Sequence, residues 1–260
     1  MFFNNIDPVM LRLGPLEMRY YGLIYVIGFV LSYFMIYHLA KKKELGLGKE
    51  DVADLIFYEL IGVIIGARLF YIIFYNFSYY FQNPLEIFAL WHGGLSFHGG
   101  LTGAIAAAYV FSKRKKIDIL EIADIVVIPS AIALALGRIG NFLNGELVGR
   151  ITNVPWAVKF KDYEGFRHPS QLYESAKNFL IFGALWYMKD RKLRKGTLFL
   201  TFVMMYSVLR FFIEFFREPD QQLGFIIFNL TMGQILNIVM FAAAVFFMLR
   251  IYKKSPTNGN

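Results

Sequence analysis

The chain has 260 residues and no cysteine. That absence excludes disulfides, catalysis by a thiol of the protein's own and Cys-based metal sites, and it leaves the redox compartment open. Charged residues are also sparse, at 18%. No Pro/Ser-rich linker, low-complexity tract or obvious repeat divides the sequence, so a single domain over 1–260 is expected. The N-terminus lacks a basic stretch followed by a short apolar core and a small-residue cleavage site. The first apolar run is too long for a secretory signal and should remain as a helix.

What is present is apolar: 57% of residues are hydrophobic and the mean hydropathy is positive, more so than in a soluble domain of this size. Several stretches approach the ~20 uncharged residues that a hydrocarbon core of about 30 Å requires. Seven candidate spans follow, at Tyr20–Ala40, Val52–Tyr75, Leu95–Ser112, Ile119–Leu136, Leu172–Met188, Thr197–Phe216 and Met232–Ile251. The expected fold is an all-α integral membrane protein, a bundle of seven transmembrane helices with short external loops or a small head. The external insert runs from about 138 to 170.

The net charge of +8 is compatible with nucleic-acid binding, but the basic residues lie in short clusters between apolar runs. Membrane orientation accounts for them better. "KKKELGLGK", "KRKK", "KDRKLRK" and "RIYKK" hold 16 Lys and Arg on one side. The opposite side holds eight: Arg12, Arg19, Arg138, Arg150, Lys159, Lys161, Arg167 and Arg217. The positive-inside bias puts the N-terminus outside and the C-terminus in the cytoplasm. The external loop "YNFSYYFQNPLEIFALWHGG" has no Lys or Arg, and its aromatic residues suit the membrane–water boundary.

On that topology, unusual polar residues gather toward the outer side. They are Tyr21 on the first span, His98 on the third, Arg138, Asn141 and Asn144 at the end of the fourth, and Arg210 and Glu214 in the sixth. Within "MYSVLRFFIEFFREPD", Tyr206, Arg210 and Glu214 fall four residues apart and share one helix stripe. A charge inside a membrane faces a partner or a wet cavity. Arg210 and Glu214 either neutralise each other, or Glu214 holds an arginine poised to clamp a phosphate through two parallel hydrogen bonds. Arg138 reads either as an interfacial anchor or as a second headgroup ligand. Asn141, Asn144 and Glu146 beside it support the ligand reading, although an Asn-rich stretch also makes a turn. Gly137, Gly140 and Gly145 permit close approach of backbone to a ligand or a helix.

His98 precedes Gly99, Gly100 and Gly103 and is either structural or a proton acceptor. His38, His92 and His168 have no metal-ligand spacing with it, so neither metal nor cofactor is assigned. Glu59 and Arg68 fall on opposite faces of their helix and must each find a partner elsewhere. Gly62 and Gly66 form a small-xxx-small pattern suited to helix packing. Ser170, after Pro169, is placed to cap the fifth span.

"GRIGNFLNGELVG" (Gly137–Gly149) resembles the signature of the prolipoprotein diacylglyceryl transferases. "YYG" at Tyr20–Gly22, "SFHGG", "RHPSQLYE" and "FREPD" after R-x-x-x-E-F are similar to that family's motifs in the same order. The resemblance covers Pro8 to the end of the last span. It implies an enzyme of bacterial lipoprotein maturation in the cell (inner or plasma) membrane, with its active site toward the outer or periplasmic side. The reaction it implies moves the diacylglyceryl group of phosphatidylglycerol to the lipobox cysteine of a prolipoprotein signal peptide and releases glycerol phosphate.

On that reading the partners are phosphatidylglycerol, prolipoprotein and the bilayer, with no nucleic acid. Arg138 and Arg210 bind the phosphate, Glu214 orients Arg210, His98 is the general base and Tyr206 assists it. Tyr21, Asn141, Asn144, Glu146 and Gly149 shape the substrate pocket. A phospholipid transporter, whose polar groups should continue toward the inner face, and a receptor, which needs no convergent His/Arg/Glu set, are the alternative classes.

Overall fold

Helices carry most of the chain in the computed structural model, which describes residues 1–14, 16–218, 225–227 and 230–253. They are α1 (Tyr20–Lys42), α2 (Lys49–Tyr75), the short α3 (Phe77–Gln82), α4 (Phe97–Lys115), α5 (Ile119–Asn144), α6 (Ser170–Met188), α7 (Thr197–Ile213) and α8 (Met232–Lys253). A 3-10 turn, Glu214–Phe216, continues α7. Pro219 and Asp220 of the FREPD run lie outside the described residues.

Among the described residues, five helices are long and apolar enough to cross a membrane: Tyr20–Lys42, Lys49–Tyr75, Ile119–Asn144, Thr197–Phe216 and Met232–Lys253. Large side chains such as Phe34, Phe57, Ile65, Phe74 and Phe246 stand exposed on them, as lipid-facing residues do, because hydrocarbon solvates them and water does not. The third and fifth expected spans are helices as well, α4 and α6, of 19 residues each.

Among the described residues there are also six short strands that the hydropathy runs did not announce. β1 (Phe2–Asn4) pairs in parallel with β4 (Val158–Phe160), β2 (Val9–Leu13) forms a hairpin with β3 (Leu16–Arg19), and β5 (Phe225–Ile227) pairs with β6 (Leu230–Thr231). Strands of two to five residues are too brief to register as alternation against long apolar helices.

The chain divides into two units, Tyr33–Ile125 and Met1–Ser32 with Val126–Asn260. In the first, α2 lies against α4 at backbone contact. A Cβ on Gly62 would sit 2.6 Å from the Gly103 carbonyl oxygen, and one on Gly103 or Gly99 would overlap the carbonyl of Gly62 or Gly66. The glycines of "GVIIG" and "HGGLTG" are therefore the two halves of a helix–helix contact.

Arg68, toward the C-terminal end of α2, finds its partners in the following loop. Its Nε donates to the Ile87 carbonyl (3.0 Å), and its two Nη groups donate to Glu86 (2.5 Å), Ala89 (3.1 Å), Gly94 (3.2 Å) and Gly93. The guanidinium also faces the Tyr80 ring at 4.9 Å. One cation thus gathers five carbonyls, of which those of Glu86 and Ala89 also accept from the amides of Ala89 and His92. At the other end of this unit Lys43 approaches the buried Asp124 (3.6 Å), and Lys115 pairs with Asp51.

In the second unit, α5 runs two turns beyond the expected Leu136. Arg138–Asn144 is polar but helix-competent, and the helix stops at Gly145 with φ +69°. There the Glu146 amide returns to the Asn141 carbonyl (3.0 Å) and that of Gly145 to Phe142 (3.1 Å), a Schellman closure. The apolar run ended before the helix did.

The expectation for Ser170 is corrected. Pro169 occupies the cap position of α6, and the Ser170 hydroxyl donates instead to the Leu147 carbonyl at 3.0 Å. Between α5 and α6 a small head is built from Val148, Val158 and Phe160, with Phe142 and Tyr163 packed on them. β1 is fastened to this head by its ladder with β4 and by Asn4 Nδ2 donating to the Phe142 carbonyl at 2.6 Å.

Candidate active site

The charged residues of the second unit meet at one end of its helices. Arg138 is in the last two turns of α5, Glu174 in the second turn of α6, and Arg210 in the last turn of α7. Arg210 has the sign that the last turn of a helix favours.

Glu174, 2% exposed, is the hub. Its Oε2 lies 3.4 Å from Arg138 Nε and 3.3 Å from Lys177 Nζ; its Oε1 lies 3.4 Å from Arg210 Nε and 4.0 Å from Arg217 Nη1. Glu214 pairs with Arg210 Nη1 through one oxygen and accepts from Thr231 Oγ1 at 3.0 Å through the other. Four cations thus share two buried carboxylates.

Isolated charges of this kind are strongly disfavoured away from water. The carboxylates tether the arginines but do not balance them, and the cluster is two charges positive.

Arg138 continues outward, its Nη1 donating to Asn141 Oδ1 at 3.4 Å. Asn141 is buried and donates to Glu146 Oε1 at 2.8 Å, which Asn144 Nδ2 also reaches at 3.4 Å. Asn144 Oδ1 is buried without a partner. The Asn-rich stretch is therefore a helical side-chain network and not a turn.

The three glycines near it have separate explanations. Gly145 closes the helix. A Cβ on Gly140 would come 2.7 Å from the Tyr21 ring, so its absence lets Tyr21 lie on α5. Gly137 meets nothing within 4 Å. The Tyr21 hydroxyl bonds that of Tyr25 at 2.9 Å.

Gly149 lies where chain segments cross. A Cβ there would be 2.5 Å from the His168 carbonyl and 2.6 Å from that of Phe216. Its carbonyl accepts from Arg167, which also pairs with Glu218. The space a ligand could use at Gly149 is filled by protein, and Gly149 acts by letting the segment before α6 run against the end of α7. His168 closes this corner, with its Nδ1 3.0 Å from the Tyr173 hydroxyl, and burial pushes its imidazole below the ordinary value.

Tyr206 is directed to a neighbour that the sequence reading did not give it: its ring is covered by Lys177 Nζ at 3.7 Å. His98 belongs to the other unit, in the first turn of α4, where Ser96 caps the helix and the imidazole is exposed. Of the expected set, Arg138, Arg210, Glu214 and Asn141 are brought together directly. Asn144 and Glu146 form the next layer. Tyr21 and Gly149 act on the backbone around them.

Glu174, Lys177 and Arg217 escaped the sequence reading as site residues. Glu174 and Lys177 were charged residues inside an expected span, the same signal that singled out Arg210. Arg217 was counted only as an outer basic residue.

Fold and site together define a multi-pass helical membrane protein that concentrates arginines about buried carboxylates at one end of a helix bundle. Residues 8–250 match the family model described as prolipoprotein diacylglyceryl transferase, and the chain belongs to that family. It is 49% identical over 243 residues to a phosphatidylglycerol–prolipoprotein diacylglyceryl transferase of Geobacter sulfurreducens, covering 93% of this chain and 94% of the relative. Identically named proteins of Coxiella burnetii (42% over 256 residues, 97% and 98% covered) and Nitratidesulfovibrio vulgaris (41% over 251 residues, 95% of each) are similar over the same extent.

Proposed function

We propose that this chain transfers the diacylglyceryl group of phosphatidylglycerol to the thiol of a prolipoprotein lipobox cysteine. A thioether forms and glycerol phosphate leaves, the first step of bacterial lipoprotein maturation. The observation that carries the site assignment is the convergence of Arg138, Arg210, Arg217 and Lys177 on Glu174.

In the reaction the substrate sulfur attacks the glyceryl carbon that bears the phosphate. The C–O bond breaks and its electron pair stays on the phosphate oxygen. Arg138 and Arg210 hold the phosphate and meet the charge that grows on it, Glu214 and Glu174 fix the two guanidiniums, and Asn141, Asn144, Glu146 and Tyr21 border the headgroup or peptide. A free thiol titrates near ~8.5, so a base assists it, and His98 is assigned that role. Tyr206 supports the cluster through Lys177 rather than through His98.

The basic loops favour a protein in the bacterial inner or plasma membrane, N-terminus outside and C-terminus in the cytoplasm. The seven-span arrangement counts α4 and α6 with the five longer spans, since 19 residues reach about 28 Å. Residues 1–260 then form one transmembrane domain with an external insert at about 138–170, and the cluster faces outward.

The decisive experiment incubates purified protein with phosphatidylglycerol and a lipobox peptide and reads the mass gain on cysteine. A Cys→Ser peptide should gain nothing. Arg138→Ala should insert normally and lose at least about a hundredfold in turnover, the cost of one preorganised donor. Near-normal turnover by that variant removes Arg138 from phosphate binding.

A further inference from the structure

Lys177 belongs to the cluster but was given no role in the reaction itself, yet it is among the most secluded charges of the second unit, at 4% exposed. Its ammonium touches Glu174 Oε2 at 3.3 Å and lies over the Tyr206 ring at 3.7 Å. Carboxylate contact and the face of an aromatic ring are both partners of a cation. The carboxylate oxygen it uses is the one that also faces Arg138 Nε at 3.4 Å. Lys177 therefore competes with Arg138 for Glu174, and less of the arginine's charge is neutralised by the protein.

Without Lys177, three arginines would face two carboxylates, a surplus of one. With it the surplus is two. Glu146 lies one asparagine farther out and is exposed, so solvent screens it. The lipid phosphodiester carries one negative charge. The departing phosphate monoester gains a second as the C–O pair collapses onto its oxygen, while the thiol proton goes to the base. A surplus of two matches the product side of the bond cleavage, and only interactions stronger in the transition state than in the ground state raise turnover.

Resting on the phosphate reading of the cluster, we propose that Lys177 is a positioning residue that tunes the arginine cluster to the doubly charged leaving group rather than to the bound lipid. It acts through Glu174 and Arg138 and does not touch the phosphate.

The test compares two soluble inhibitors near pH 7, where a phosphate monoester (second pKa about 6) is mostly a dianion. They are glycerol phosphate and glycerophosphoglycerol, the deacylated headgroup, which is a monoanionic diester. The wild type should prefer the dianion. Lys177→Gln keeps a hydrogen bond to Glu174 without the charge. It should weaken glycerol phosphate binding about tenfold while changing glycerophosphoglycerol less than about twofold. Its kcat should fall by a similar factor with KM for phosphatidylglycerol nearly unchanged.

The ratio of the two inhibition constants within one preparation does not depend on how much protein is folded, so a purely structural role would leave it unmoved. An unchanged ratio in Lys177→Gln overturns the proposal. If that variant does not fold, the wild-type ratio still decides, because equal affinity for the two inhibitors overturns the proposal as well. Lys177→Arg, which keeps the charge, should keep the preference. Should neither compound inhibit the wild type, the phosphate reading itself fails, and the Lys177 proposal falls with it.

Discussion

Glu174→Gln is the substitution that separates a tethered arginine cluster from a chance gathering of charges. Its carboxylate faces four cations at 3.3, 3.4, 3.4 and 4.0 Å. At an effective permittivity of about 20, each such attraction is worth about 4–5 kcal/mol before any cost is counted. The gross sum is offset by the desolvation of Glu174 and by repulsion among the cations, which the wild type already bears. Removing one partner of a buried ion pair costs about 3–5 kcal/mol, and that range is the expected loss of stability, because glutamine preserves shape but leaves four cations with Glu214 alone.

The assay is unfolding of the purified protein in one fixed detergent or lipid mixture, followed with and without added glycerol phosphate. The variant should unfold earlier and turn over at least about tenfold more slowly, since Arg138 and Arg210 lose their shared tether. It should also be rescued by glycerol phosphate more than the wild type is, because the ligand then supplies the missing negative charge. Stability within about 1 kcal/mol of wild type, together with full turnover, would refute the reasoning: a group surrounded by four cations cannot be removed that lightly if they are charged and held by it.

Gly103→Ala places a methyl group against the Gly62 carbonyl, which is backbone and cannot turn aside. Forcing α2 and α4 apart should destabilise the protein by about 1–3 kcal/mol, measured by unfolding, whereas Gly137→Ala, with nothing near its Cβ, should be tolerated. Arg68→Met should release the loop around Glu86–Gly94 from five carbonyl contacts, seen as new proteolytic cleavage there at unchanged secondary structure. His98→Gln should lower turnover by about a hundredfold or more, the contribution of a positioned base; activity unchanged over about pH 6 to 9 would exclude His98 as the base.

The five longest spans were legible because hydrocarbon selects length and composition, which a sequence displays directly. The packing role of Gly62 and Gly66 was legible for the same kind of reason: small residues one turn apart have few other uses in an apolar helix. Arg68 was half legible. Its separation from Glu59 showed that it needed a distant partner, but loop carbonyls carry no residue-type signature.

Glu174 and Lys177 were obscured by averaging. Read as members of an apolar run, they vanish; read as charges that cannot face lipid, they belong with Arg210. The location of Arg217 at the same carboxylate was not legible at all. It depends on the 3-10 turn after α7 bringing the chain back over α6, and nothing local in "EFFREPD" states that. Ser170 shows the reverse error: the residue type suited a cap, but its hydroxyl donates to the Leu147 carbonyl.

The placement of the cluster follows from the same electrostatics that makes charges rare in membranes. Arg138, Glu174 and Arg210 each stand within two turns of a helix end, and Arg210 lies in the last turn of α7, where the peptide dipoles favour a cation. A carboxylate for each of the four cations would have produced a neutral plug. Fewer carboxylates would have left the arginines without fixed geometry. Two carboxylates for four cations keep the guanidiniums oriented and still short of negative charge, so part of the stabilisation that a fully paired cluster would take from the protein is left for a ligand to supply. The missing cysteine fits the same division: the protein holds the electrophile and its leaving group, and the nucleophile arrives on the other substrate.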